Sequence, residues 1–252
     1  MRIDENFSEP YTLDISFPDD NYEFSNGDYR GIFRIRSTNW NGNIAFPKGA
    51  TSVSVYQAGQ QTVNIFNGNM TVPEGARIVG ISSALFNKSI SIPSSVTKLG
   101  LLNCYAFDSA YPTSDSLTNY EGALQGCSHF NQPVKISANA TTCKGMFQNC
   151  VNFNSEVDMS DCTKLTNCSL MFSGCTAFNQ PIVIPDGVTD CSSMFYRCTA
   201  FDQTITVPTS VTSVTYMFSN CTSQTKPIYL PTALSGQISG WSANARNCVV
   251  LY

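Results

Sequence analysis

Met171-Phe172-Ser173-Gly174-Cys175-Thr176-Ala177-Phe178-Asn179-Gln180-Pro181-Ile182-Val183-Ile184-Pro185 decides the fold, because its parts recur in the same order along most of the chain. One part is an aromatic residue, then Asn or Asp, then two variable residues, then an apolar-x-apolar triplet that usually runs into Pro. It stands at Trp40-Asn41 to Pro47, Phe66-Asn67 to Pro73, Phe86-Asn87 to Pro93, Phe130-Asn131 to Ser137, Phe153-Asn154 to Ser160 and Phe201-Asp202 to Pro208. Phe107-Asp108 and a degenerate copy from Gln224-Thr225 to Pro231 complete the series. From Trp40 to Phe201 the aromatic positions lie 26, 20, 21, 23, 23, 25 and 23 residues apart. The other part, Val-Thr-x-Cys-x-x-Met-Phe-x-x-Cys, ends at Cys150, Cys175, Cys198 and, with Val214 in place of its first Cys, Cys221.

Self-similarity at a period of roughly 20–29 residues marks a leucine-rich-repeat-type solenoid. Successive coils then stack at the strand spacing of about 4.8 Å, so equivalent residues form rows along the rod. We therefore expect a mainly β, right-handed solenoid of about nine coils of roughly 20–26 residues, with short turns or 3-10 segments away from the strands. Residues 1–39 lie outside the repeat and form an acidic N-terminal cap or docking segment, 40–231 form the solenoid, and 232–252 form a C-terminal cap.

Each row has a physical reading. Phe66, Phe86, Phe107, Phe130, Phe153, Phe178 and Phe201 make a buried aromatic spine. The adjoining Asn or Asp bonds backbone where the chain turns, as these short side chains do. The triplets alternate as a strand with one buried face. Val134 and Ile136, Ile182 and Ile184, Ile205 and Val207, and Ile228 and Leu230 point inward. The residues between them face outward on one continuous narrow sheet. That outer row varies from coil to coil while its neighbours do not, so Lys135, Asp158, Val183, Thr206 and Tyr229 are the candidate ligand contacts. Lys135 and Asp158 fall in adjacent coils and can pair with each other.

The same residues resemble a known family. Ile92-Pro93-Ser94-Ser95-Val96-Thr97-Lys98-Leu99-Gly100 and the Met-Phe-x-x-Cys-x-x-Phe-Asn-Gln run from Met171 to Gln180 are similar to the coils of BspA-like leucine-rich-repeat proteins. The resemblance covers about residues 40–231. It implies a protein that adheres to host surfaces. Short members without a signal peptide look like bacteriophage proteins, so it further implies a virion surface component: a fibre, a decoration or a receptor-binding rod. The alternative it leaves is a bacterial or protist surface adhesin, and a glycan depolymerase is a weaker third.

Composition agrees with a binding module. With 13% charged and 42% hydrophobic residues, the chain is neither disordered nor a polybasic nucleic-acid binder. No apolar run reaches the roughly 18 residues of a membrane span. The first nine residues carry no stretch of the kind a signal peptide needs, which leads us to expect synthesis in a cytoplasm or a missing natural N-terminus. The eleven cysteines recur at coil positions, without the paired spacing of zinc knuckles, and read as small, reduced core residues. His129, the single histidine, has no nucleophile and base beside it in sequence. Glu156, Asp158 and Asp161 are the best carboxylate cluster, but exposed acids lack the desolvation a glycosidase acid needs. We expect no enzyme activity, cofactor or metal.

Residues 1–28 carry one Arg against eight acids, 1 − 8 = −7, so the remainder carries +3 of the total −4. The segment also holds Phe7, Tyr11, Phe17, Tyr22 and Phe24, which are the expected docking residues for other virion proteins. A host surface protein or glycan is the expected partner of the outer row. Self-association is left open. The closing run Asn247 to Tyr252 reads as a capping strand or a partner contact.

Overall fold

The computed structural model describes residues 43–46, 48–57 and 66–252, together with the backbone of the strands between residues 2 and 37. Trp40 and Phe7 lie outside the described residues, and Tyr11, Phe17, Tyr22 and Phe24 are placed only as strand positions.

The first eight strands alternate between two sheets, so each of these turns of the chain gives one strand to each. Strands β1 (Arg2–Ile3), β3 (Tyr22–Phe24), β5 (Ile44–Ala45) and β7 (Met70–Thr71) form one sheet in that order. Strands β2 (Tyr11–Phe17), β4 (Gly31–Ser37), β6 (Ala50–Gln57), β8 (Ile78–Ile81) and β9 (Lys98–Leu101) form the other. Every pairing is parallel, and one register line runs Leu13, Phe33, Val53, Val79, Leu99. Sheet pairing thus begins at Arg2, upstream of the first copy of the sequence motif. The fold is a mainly β solenoid of about nine turns with little helix.

Beyond β9 the second sheet narrows to one parallel bridge per coil, linking Lys98, Asn119, Thr142, Asn167, Asp190 and Ser213 in turn. The first sheet continues as β10 (Val134–Lys135) with β11 (Val157–Asp158), then as β12 (Ile205–Thr206), β13 (Ile228–Leu230) and β14 (Val249–Leu251). The expected continuous outer sheet is therefore broken, and Ile182-Val183-Ile184 has no ladder at all. Its alternation nevertheless holds: Ile182 and Ile184 are buried while Val183 is 80% exposed. A strand of two or three residues has few ladder bonds to make, so side-chain burial sets its position.

The aromatic spine is observed. Phe66 through Phe201 are fully buried, and neighbouring rings stack with centroids 5.7 to 6.0 Å apart. A second row, Phe147, Phe172, Phe195 and Phe218, lies against it, with cross-row separations of 4.3, 4.2 and 4.4 Å at Phe147–Phe153, Phe172–Phe178 and Phe195–Phe201. These come from the Met-Phe pairs, and together the rows make one aromatic slab.

Hydrogen-bonded rows flank it. Asn67 Oδ1 accepts the Asn87 amide at 2.8 Å, and the relation repeats through Asn87, Asp108, Asn131, Asn154 and Asn179 to Asp202. Thr141, Thr166, Thr189 and Thr212 each donate their hydroxyl to the carbonyl of the equivalent Thr one coil back. The Cys row does the same from inside. Thiols of Cys127, Cys150, Cys175, Cys198 and Cys221 donate to Leu101, Leu124, Phe147, Phe172 and Phe195 carbonyls at 2.8 to 3.0 Å. The residue before each of these Cys takes positive φ: Gly126, Asn149, Gly174, Arg197 and Asn220. At Gly174 a Cβ would also collide with the Asn149 side-chain oxygen of the coil below.

The C-terminal end is closed by side chains that imitate a further coil. Gln237 donates to the Thr212 carbonyl and accepts the Val214 amide, both at 2.9 Å, as a neighbouring backbone would. It lies on the 3-10 helix Thr232–Gly240. Trp241 then seals the slab, its ring edge-on to Phe218 at 4.9 Å and its Nε1 donating to the Val214 carbonyl. A one-turn helix, α1 (Ala243–Asn247), leads into β14, which pairs with β13, so the closing run is a strand of the rod.

Candidate functional site

The outer row of the first sheet is where the strand alternation aims the variable residues. Lys135, Val183, Thr206 and Tyr229 are exposed and Asp158 is half-buried. Register aligns Lys135 with Asp158, and Thr206 with Tyr229 and then Val250. Val250 is not marked by the motif, which Val249 to Tyr252 lacks; its spacing of 21 residues from Tyr229, within the range of the coil period, is the sequence signal for it. The row has two unlike halves. Lys135 Nζ lies 3.0 Å from Asp161 and 3.7 Å from Asp158, so its charges largely satisfy one another. Val183, Tyr229 and Val250, with Leu251 and Tyr252 beside them, make the other half apolar, each between 38% and 80% exposed.

Electrostatics argue against acid catalysis at the charged half. The Ser160 amide and hydroxyl bond Asp158 at 3.0 and 2.7 Å, and with Lys135 they hold its carboxyl below the usual range. Asp161 first, and Asp158 second, raise the Lys135 ammonium. A glycosidase acid needs the opposite shift, upward through desolvation. His129 is exposed, and its Nδ1 sits 2.6 Å from the Tyr105 carbonyl oxygen. The thiols are equally unsuited to nucleophilic work, since burial pushes Cys150, Cys191 and Cys221 up to about 12. All eleven cysteines are free. Among the described residues no group of three His, Cys, Asp or Glu gathers in a way that could hold a metal ion, and no helix is long and apolar enough to cross a membrane.

Residues 118–230 match a family model described as "Mycoplasma protein of unknown function, DUF285". The matched span holds the later coils, with the spine from Phe130 to Phe201, the second aromatic row and the outer row from Lys135 to Tyr229. This match and the solenoid topology are compatible with a BspA-like repeat protein. No curated protein and no solved structure matches the chain.

Proposed function

We propose that the protein is a non-enzymatic, surface-presented binding rod whose variable outer row contacts a protein or glycan on another surface. The observation that carries this reading is the division of labour within each coil. Spine, amide, hydroxyl and thiol rows are consumed by coil-to-coil contacts, which leaves the outward strand positions as the side chains free to vary. Lys135, Asp158, Val183, Thr206 and Tyr229 are the contacts, with Val250 extending the row. The mutually satisfied charges around Lys135 and the depressed Asp158 carboxyl support a non-catalytic role over a depolymerase.

The carrier of the rod is a cell or a virion. The match to a family described from Mycoplasma favours the cell surface, and the virion reading, with Phe7, Tyr11, Phe17, Tyr22 and Phe24 docking the rod to other virion proteins, rests on the resemblance in sequence alone. Protease shaving of intact cells of the source organism, followed by detection of peptides from residues 118–230, tests the first. Recovery of the protein only in purified phage particles would replace it with the second. Binding of the labelled rod to host cells, weakened by joint substitution of Val183, Tyr229 and Val250 to Ser, tests the row itself. Undiminished binding by that variant would move the contact elsewhere on the rod.

A further inference from the structure

The second sheet carries a groove that no packing requirement explains. Strand alternation puts Val53, Val55, Val79, Ile81, Leu99 and Leu101 inside, so three outward rows cross β6, β8 and β9. The middle row is Ser54, Gly80, Gly100. On one side stand Ile78 and Lys98, on the other Tyr56 and Leu102, and Glu121 with Gln125 closes the end toward the next coil. The cavity between them measures about 360 Å³.

The glycines are the informative residues. Neither takes a positive φ, a Cβ built at Gly100 meets nothing within 4 Å, and one at Gly80 meets only an ordinary contact with Ser54 at 3.5 Å. Glycine inside a strand costs stability, and it commonly marks a place where another molecule approaches the backbone closely. Here two consecutive coils carry that cost at the floor of one groove, although the space would admit a side chain.

The lining selects the ligand. A volume of this size suits a small molecule or a short oligomer rather than a helix or a protein edge. An added peptide strand is disfavoured because β6 and β8 pair on both sides within the sheet, and the free side of β9 is taken by the next coil through the Lys98–Asn119 bridge and the Leu101 amide bonded to the Ala123 carbonyl. An anion is disfavoured because the Glu121 carboxylate itself lines the groove, with the one lining ammonium, Lys98, 3.9 Å from it. What remains is a flat apolar floor, apolar walls at Ile78, Leu102 and Tyr56, and a rim that offers donors and acceptors together. A pyranose ring has a flat C–H face and a girdle of hydroxyls that both give and take hydrogen bonds. Strand spacing of about 4.8 Å places roughly one ring of a linear chain over each coil.

We infer that the groove floored by Ser54, Gly80 and Gly100 is a subsite for a neutral, unbranched glycan lying along the rod. The inference deepens the binding role proposed above and places a second contact on a different sheet from the outer row. Linear tetrasaccharides of glucose, N-acetylglucosamine and mannose are offered to the full chain, and binding is read by saturation-transfer NMR and calorimetry. At least one should bind saturably, and Gly100→Leu, which fills the floor, should weaken it at least tenfold with unchanged circular dichroism and urea midpoint. Gly80→Val provides the second filling variant should Gly100→Leu misfold. Failure of all three sugars to bind, or equal binding by a folded filled-groove variant, overturns the inference. The two readings fail separately: host-cell binding that survives in Gly100→Leu but is lost in the outer-row variant removes the groove and leaves the rod's role intact.

Discussion

Truncating Phe178 to Ala removes a ring that stacks on four others in the slab. Phe153 and Phe201 lie 5.7 and 5.9 Å away along its row, and Phe172 and Phe195 lie 4.2 and 6.4 Å away across it. A buried Phe→Ala change costs about 3–5 kcal/mol, more where the cavity cannot collapse. Collapse is resisted here, because the coil is pinned on both sides by Asn154 accepting the Asn179 amide and Asn179 accepting the Asp202 amide. We therefore expect about 4–5 kcal/mol, and for Val183→Ala, five residues on and 80% exposed, within about 0.5 kcal/mol. Urea unfolding followed by circular dichroism measures both. In a stacked array, stability is a sum of coil and interface terms, so a lesion at one level also divides the array. The Phe178→Ala transition should broaden, with a smaller apparent m-value, as the coils on either side of the lesion uncouple. A loss below about 1.5 kcal/mol, or equal losses in the two variants, would refute the inward and outward assignment.

Three further outcomes follow from the rows. Asp202 accepts from the Thr225 and Lys226 amides, which together with the Thr225 hydroxyl depress its carboxyl. Its contribution is therefore full above the unfolded value of about 3.9 and is lost as pH falls through the lower folded value. Asp202→Asn, which keeps an acceptor but not the charge, should lose that contribution at pH 7 and flatten part of the melting-temperature drop below about pH 4, whereas Asp202→Ala, which also loses the acceptor, should cost more, about 1–2 kcal/mol at pH 7. Burial and carbonyl bonding should leave the thiols inert, so native iodoacetamide at pH 8 should modify Cys248 alone and all eleven cysteines in urea; modification of two or more in the native protein contradicts the packing. Leu170 sits at φ 59°, where sister coils place Gly122 and Gly145. Relief of about 1–2 kcal/mol of left-handed strain, less the entropy of glycine, makes Leu170→Gly stabilising by up to about 1 kcal/mol, and a lowered melting temperature would mean that its packing outweighs the strain.

What could be read in the sequence was whatever recurs. Phe178-Asn179 declared its place because a row of identical residues has one geometry that serves every coil, and the apolar triplets declared theirs by alternation. The Met-Phe pairs were visible as a repeat, but their role was not. That Phe172 meets Phe178 across the slab depends on the turn between them, where Gly174 folds the chain through positive φ. The donation from each Cys to a carbonyl one coil back was invisible for a similar reason, since composition marks Cys as a small apolar residue and gives no direction to its S–H. The strands of residues 2–37 escaped because they lack the aromatic-Asn signature, though Leu13, Phe33 and Val53 stand 20 residues apart in the register the sheet adopts.

The candidate sites were harder to read for the opposite reason: function in a repeat array lies where the repeat is not obeyed. The outer row was found because it varies against constant neighbours, yet Lys135 and Asp158, its most conspicuous members, turn out to be tied to each other and to Asp161 and Ser160. Its apolar half, from Val183 to Val250, reads in sequence as more of the strand pattern and becomes distinctive only when exposure is known. Gly100 reads in sequence as one more letter of the repeat, and it is the ordinary strand geometry of Gly80 and Gly100, with room above each for a side chain, that gives them another meaning. A side chain shared by every coil is explained by stacking. Gly80 and Gly100 share one register row, yet stacking would tolerate a side chain at either and does not require its absence, so their explanation must come from outside the rod.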